Sequence, residues 1–320
     1  MFVIAAISDS YGFGYEFAPA DFVATNNDPH KGYIQHPNRP HVPGTYSDDT
    51  QMAVALALAL LKVKGNWKEL TAHQLATQFV AQFKADPRPG YSQGFYELLT
   101  ELAKFKGDDM GTEFLKRVKP SSSKSGAAMR AWPCGLLPTP KEAVDLAIFQ
   151  ASLTHATRTG VDSAAAVALM VWCCRQGFDS EMLVNTLEDW VPGYTWEAPW
   201  SGPVSSDGIE VVRAALTPML QLDMVRTCSM TQILQECIAF TGDVDSVACI
   251  ALAAASQHPL IINDLPKVLY KTLEKGSYGR KFLESLDARM EAVFPCPRQI
   301  FSAFCDTEPE DDGSILGLFS

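Results

Sequence analysis

Along most of the chain apolar residues return every three or four positions, and strict alternation of apolar with polar residues is scarce. Ala and Leu dominate the periodic segments, whereas Val, Ile, Thr and Tyr seldom cluster between turn signals, so the pattern predicts helix almost everywhere. Helices are expected over 2–12, 49–63, 71–84, 93–105, 111–117, 124–136, 140–153, 160–176, 180–188, 206–220, 230–239, 245–256, 264–274 and 279–290. The fold class is therefore all-α. Two segments, AVALALALL at 53–61 and VACIALAAA at 247–255, are apolar all round and must be enclosed by other helices, which makes them the expected central pair. No Pro/Gly-rich polar linker separates two self-sufficient halves. One domain is expected over 1–293, with 294–320, including Glu308, Glu310, Asp311 and Asp312, as its C-terminal arm or tail.

Two stretches interrupt the helical pattern. The connection 17–47 carries Pro19, Pro29, Pro37, Pro40 and Pro43, too long and too proline-rich for idle packing, and it runs straight into Ser47. It is expected to be a lid or wall of a cleft. The second, 191–207, has Trp190, Trp196 and Trp200 in or beside it. Buried core is the favoured role for Trp196 and Trp200, stacking on a ligand the alternative. Over 320 residues the net charge is -11, which repels phosphate backbones and anionic lipid and excludes a dedicated nucleic-acid binder. The longest apolar runs, 53–61 and 164–174, fall short of the ~20 residues a membrane span needs. MFVIAAIS lacks a charged leader and meets Asp9 at once, so a secretory signal is not expected. The eight cysteines show no CxxC spacing, and Cys173, Cys174 and Cys249 sit in apolar runs, as in a protein of the reducing cytoplasm.

Candidate chemistry gathers at the entrances of the two all-apolar helices. GTYSDDTQMAVALALAL places Ser47, Asp48, Asp49 and Thr50 at the first, and FTGDVDSVACIALAAAS places Asp243, Asp245 and Ser246 at the second. Either alone reads as helix capping, because Ser and Asp accept hydrogen bonds from free amides. One cap needs one acceptor, however, and each entrance offers two carboxylates and a hydroxyl. If the two N-termini meet, helix dipoles cannot offset about four charges withdrawn from water, and two divalent cations would balance them. Oxygen donors of this kind suit Mg²⁺, Ca²⁺ or Mn²⁺, and a two-metal site can orient a substrate and activate a water. The spacing of His30, His36 and His41 permits zinc, but the adjoining prolines favour an access loop.

In order, SDSYGFGYE, GTYSDDTQMA, KSGAAMRAWPCG, LTHATRTGVDSAAAVALMVW, TGDVDSVACIALAAAS and DLPKVLY resemble the ADP-ribosylglycohydrolase superfamily, which includes ADP-ribosylarginine hydrolases and the glycohydrolase that reactivates dinitrogenase reductase. The resemblance runs from about residue 4 to residue 288. It implies an orthogonal helical bundle with two divalent cations, Mg²⁺ first and Mn²⁺ second. The implied reaction hydrolyses the bond joining ADP-ribose to a modified protein, with arginine as the default linkage. It also places Ser47, Asp48 and Asp49 on the family's first ligand cluster and Asp243, Asp245 and Ser246 on its second. Glu16 falls on an acidic residue given metal-gating or acid/base roles there, so Glu16 and Asp49 are the implied catalytic candidates. Lys124, Ser125, Gly126 and Ala127 stand where the family reads GNGA before AMR, a turn that can cradle a diphosphate. His155 stands where a histidine lies close to bound ADP-ribose. The sequence departs from the family at Lys124 and Ser125, and at Thr241, which replaces a glycine and removes backbone freedom. Two other readings stay open: a non-catalytic ADP-ribose-binding or crystallin-like structural protein, and a two-metal nucleotide phosphohydrolase.

Overall fold

In the computed structural model, which describes residues 1–107, 109–221 and 228–296, the periodic segments are helices. In chain order they are α1 (Phe2–Phe13), α2 (Ala20–Asn26), α3 (Asp48–Lys62), α4 (Ala72–Ala85), α5 (Gln93–Ala103), α6 (Met110–Arg117), α7 (Pro140–Ser152), α8 (Arg158–Gln176), α9 (Ser180–Trp190), α10 (Gly208–Leu216), α11 (Met230–Ala239), α12 (Val244–Ala255), α13 (Lys267–Thr272) and α14 (Arg280–Val293). A two-residue parallel pair, Cys228–Ser229 with Ile261–Ile262, is the sheet among the described residues. The expected all-α class is what the chain adopts. The C-terminal arm lies, from residue 297 onward, outside the described residues.

Three expectations need correction. The segment 124–136 is not one α-helix but two short 3₁₀ turns, Ser125–Ala127 and Trp132–Leu136. Pro133 has no N–H to continue a helix begun at 125, and a Cβ on Gly135 would stand 2.5 Å from the Ala168 carbonyl oxygen, so this stretch lies flat on α8. The connection 17–47 contains a helix, α2, which starts directly after Pro19. Finally, the principal partner of α12 is α1 rather than α3. Every residue of α1 and of α12 is buried, and α10, α11 and α8 complete the enclosure of α12, while α3 meets it more sparingly.

The α1–α12 contact depends on Gly12. A Cβ there would lie 2.5 Å from the Asp245 Cα and 2.9 Å from its amide nitrogen, so the two backbones touch where the second acidic segment begins. Gly12→Ala is expected to destabilise the fold by about 1–3 kcal/mol through overpacking. Because the displaced backbone is that of Asp245, the variant should also bind divalent cations more weakly, and urea titration beside calorimetry with Mn²⁺ checks both.

Candidate metal centre

The N-terminus of α3 is capped twice. Ser47 Oγ accepts from the Asp49 N–H at 3.3 Å, and the Asp9 carboxylate accepts from the Ser47 N–H at 3.0 and 3.1 Å and the Thr50 N–H at 3.0 Å. Asp9 reaches this position because α1, on which it is the one charged residue, carries it into the interior. Capping is thereby satisfied without Asp48 or Asp49. At α12, Asp243 makes no side-chain capping bond and instead accepts from Ser125 Oγ at 2.9 Å.

The two acidic entrances converge. Ser246 Oγ donates to Asp49 Oδ1 at 2.8 Å and Ser47 Oγ to Asp49 Oδ2 at 3.0 Å, so a single carboxylate joins the two segments across 197 positions of sequence. Glu16, Asp243 and Asp245 each bring a carboxylate oxygen within 4.8 Å of the other two. Asp48 lies against Gly90, whose φ of +107° and lack of a side chain let the 86–92 loop pass over it, since a Cβ would fall 1.9 Å from Asp48 Oδ1. Thr241, the residue that replaces a glycine, sits at φ +65°, so the left-handed turn before Asp243 is kept at the expense of strain in a β-branched residue.

Burial pushes the carboxyls of Asp9, Asp48, Asp49, Asp243 and Asp245 above their ordinary range, and for Asp48, Asp49 and Asp245 the neighbouring acids push the same way. Glu16 rises to about 7, burial outweighing the Arg39 guanidinium with which it is ion-paired. Lys124 acts on Asp243 from a distance. Two side-chain cations against five buried carboxylates and the half-buried Glu16 is a poor balance, and Asp245 Oδ1 is buried with no hydrogen-bond partner. The donors are all oxygens, as hard divalent ions require. Asp48, Asp49, Glu16, Asp243 and Asp245 therefore fit such ions.

These acids line a cavity of about 670 Å³. Lys124, Ser125, Gly126 and His155 line it as well, whereas Ser47 and Ala127 do not. Ser47 is consumed by the α3 cap, and Ala127 is buried in the core with its carbonyl accepting from Gln150 Nε2 at 3.0 Å. His155 is held from behind: Arg130, stacked on Phe79, donates to Gln150 Oε1 at 2.6 Å and to Thr154 Oγ1 at 2.7 Å, and Thr154 Oγ1 lies 2.6 Å from His155 Nδ1. With Thr154 already accepting from Arg130, its own hydrogen can go to Nδ1, which leaves the ring proton on Nε2, facing Gly126. Burial and Arg130 push His155 down to about 3, so it acts as a neutral donor.

Beyond Phe17, which lines the cavity, the proline-rich connection does not form the expected wall, for the lining passes from Phe17 directly to Asp48. It is a buttress: His36 Nε2 lies 2.9 Å from the Glu16 carbonyl oxygen, and Arg39 stacks over Phe13 while pairing with the Glu16 carboxylate. His30 is exposed, His36 spends both ring nitrogens and His41 its Nδ1 on loop hydrogen bonds, and among the described residues these histidines do not gather into a metal-ligating cluster. Trp196 is buried with its indole N–H on the Val191 carbonyl, Trp200 is half-buried, and neither lines the cavity. Sequence reasoning missed Asp9, Arg39, Gly90 and Arg130 as parts of the site. A lone acid within FVIAAIS-type apolar sequence was the available signal for Asp9, whereas Arg39 and Gly90 sit in loops whose course no periodicity reveals.

Comparison with known proteins gives a consistent result. A family model described as ADP-ribosylglycohydrolase matches residues 2–294. A solved structure described as an "ADP-ribosylglycohydrolase-related protein complex" is similar in fold, with a TM-score of 0.63 and 21% sequence identity over 92% of this chain and 95% of that chain. No curated protein matches the chain. Among the described residues no helix is long and apolar enough to cross a membrane.

Proposed function

The chain belongs to the ADP-ribosylglycohydrolase family, and from that premise we propose that it is a hydrolase that removes ADP-ribose from a modified protein, with arginine as the linkage and two divalent cations, Mg²⁺ or Mn²⁺, as cofactors. The observation that carries this reading is the meeting of the two acidic helix entrances at the Ser246–Asp49 bond, in the lining of a cavity large enough for a dinucleotide-sized ligand. Asp48, Asp49, Asp243, Asp245 and Glu16 would hold the cations, with Ser47 and Ser246 orienting Asp49 through their hydroxyls. Bound there, such ions supply Lewis-acid polarisation of the ribose and a water more acidic than bulk water.

The chain's own groups account for the rest of the chemistry. Lys124, Ser125 and Gly126, with the neutral His155 ring, receive the diphosphate. Phe95, Leu98 and Met129, on the same cavity, offer an apolar wall for adenine. Glu16 is assigned to deliver a proton to the departing group, and Asp49 to accept one from the attacking water. The remaining acids stabilise the positive charge that builds on the ribose ring as its bond to the leaving group lengthens. A single domain over 1–293 with 294–320 as its arm, and a cytoplasmic setting supported by free thiols at Cys134, Cys173, Cys237 and Cys249, belong to the same proposal.

A panel of substrates ADP-ribosylated at arginine, serine and other side chains, assayed with Mg²⁺, Mn²⁺ and chelator, tests it. Release of ADP-ribose from the arginine-linked substrate, lost with chelator, is expected. ADP-ribose binding with no release from any substrate would instead favour a non-catalytic binder, and inorganic phosphate from ADP-ribose or ATP a phosphohydrolase.

A further inference from the structure

At the rim of the cavity the peptide bond between Glu16 and Phe17 is gripped at both poles. The Glu16 carbonyl lies 2.9 Å from His36 Nε2 and accepts from Arg39 Nη2 at 3.3 Å, while the Phe17 N–H donates to the Gly242 carbonyl at 2.8 Å. Phe17 itself has φ +52°, a region that a bulky side chain enters only when its surroundings compel it. The outcome of this constraint is an aromatic ring 55% exposed, lining the cavity next to Glu16. Packing does not explain it, since the ring is left largely in water.

Hydrogen bonds tie Phe17 and the diphosphate turn to neighbouring residues of the acidic segment: the Phe17 N–H donates to the Gly242 carbonyl, and Ser125 Oγ donates to Asp243 Oδ2 at 2.9 Å. With Glu16 assigned to the departing group, the exposed ring that directly follows it in the chain and lines the same cavity is an aromatic surface available to that group.

We propose that Phe17 is a specificity-determining residue for that leaving group, its ring face receiving the planar guanidinium of the modified arginine beside the Glu16 carboxylate. This rests on the arginine-directed reading above. An aromatic face next to a carboxylate is a fitting seat for a flat delocalised cation. Outside the cavity the same glutamate already holds one in this way: Arg39 is paired with Glu16 and lies 4.6 Å from the centre of the Phe13 ring.

Phe17→Leu keeps apolar bulk and removes the π face, and Phe17→Tyr retains the face. With ADP-ribosylated agmatine as substrate, Phe17→Leu is expected to raise KM about tenfold with kcat little altered, Phe17→Tyr to behave as wild type, and both to bind free ADP-ribose with unchanged affinity by calorimetry in Mg²⁺. An unchanged KM in Phe17→Leu, or a parallel loss of ADP-ribose affinity, overturns the assignment while leaving the hydrolase reading intact. Wild-type protein that binds ADP-ribose but releases none from an arginine linkage contradicts both.

Discussion

Replacing Asp245 by asparagine is expected to abolish metal-dependent release of ADP-ribose and, at the same time, to make the metal-free protein more stable at pH 8. The two effects have one cause. Asp245 is buried, raised in pKa by burial and by Glu16, Asp49 and Asp243, and leaves Oδ1 without a partner, so its charge opposes folding until a cation arrives. Asparagine keeps the shape and removes the charge. Activity should fall by about a thousandfold or more, the equivalent of the several kcal/mol that Lewis-acid stabilisation contributes. Mn²⁺ should no longer raise the melting temperature as it does for wild type. Steady-state rates beside thermal melts with and without Mn²⁺ measure both quantities. A variant that loses activity because it unfolds would melt lower without metal, which is the opposite sign.

The second large effect is the pH dependence of the metal-free protein. Each acid of the cluster has a folded pKa above its unfolded value near 4, so the folded state binds more protons than the unfolded chain once the pH exceeds that value. Stability is then fully present below the unfolded pKa and is lost as pH rises through the folded values, Glu16 near 7 among them. Chelated protein should melt at a higher temperature at pH 5 than at pH 8. Cation binding should reverse the trend and release protons, which calorimetry in buffers of different ionisation enthalpy detects. A chelated protein whose melting temperature rises between pH 5 and 8 would mean that the acids are already compensated within the chain.

Much of this site was legible beforehand because helix entrances are local features. The apolar run from Ala53 and the one from Val247 could be read as buried helices, and two carboxylates at each entrance exceeded what a cap consumes. The structure assigns the α3 cap to Ser47 and Asp9, which frees Asp48 and Asp49, an allocation that depends on α1 lying across the helix end. That long-range contact has no signature in the spacing of residues. Nor does the close approach at Gly12, which makes α1 rather than α3 the neighbour of α12. The segment 124–136 misled for a local reason: its Ala, Met and Leu content reads as helix, while Pro133 and the packing of Gly135 on α8 divide it into two 3₁₀ turns. The proline-rich loop was noticed for its composition, but its role as the buttress of Glu16 emerges only where His36 and Arg39 reach the same carbonyl.

Anomalous diffraction from crystals grown with Mn²⁺ addresses most directly whether the converging acids form a divalent-cation centre. Two peaks are expected among the carboxylates of Asp48, Asp49, Asp243, Asp245 and Glu16. A map with no peak there at saturating Mn²⁺, or with Asp49 and Ser246 still bonded to each other around an ion-free cluster, would contradict it.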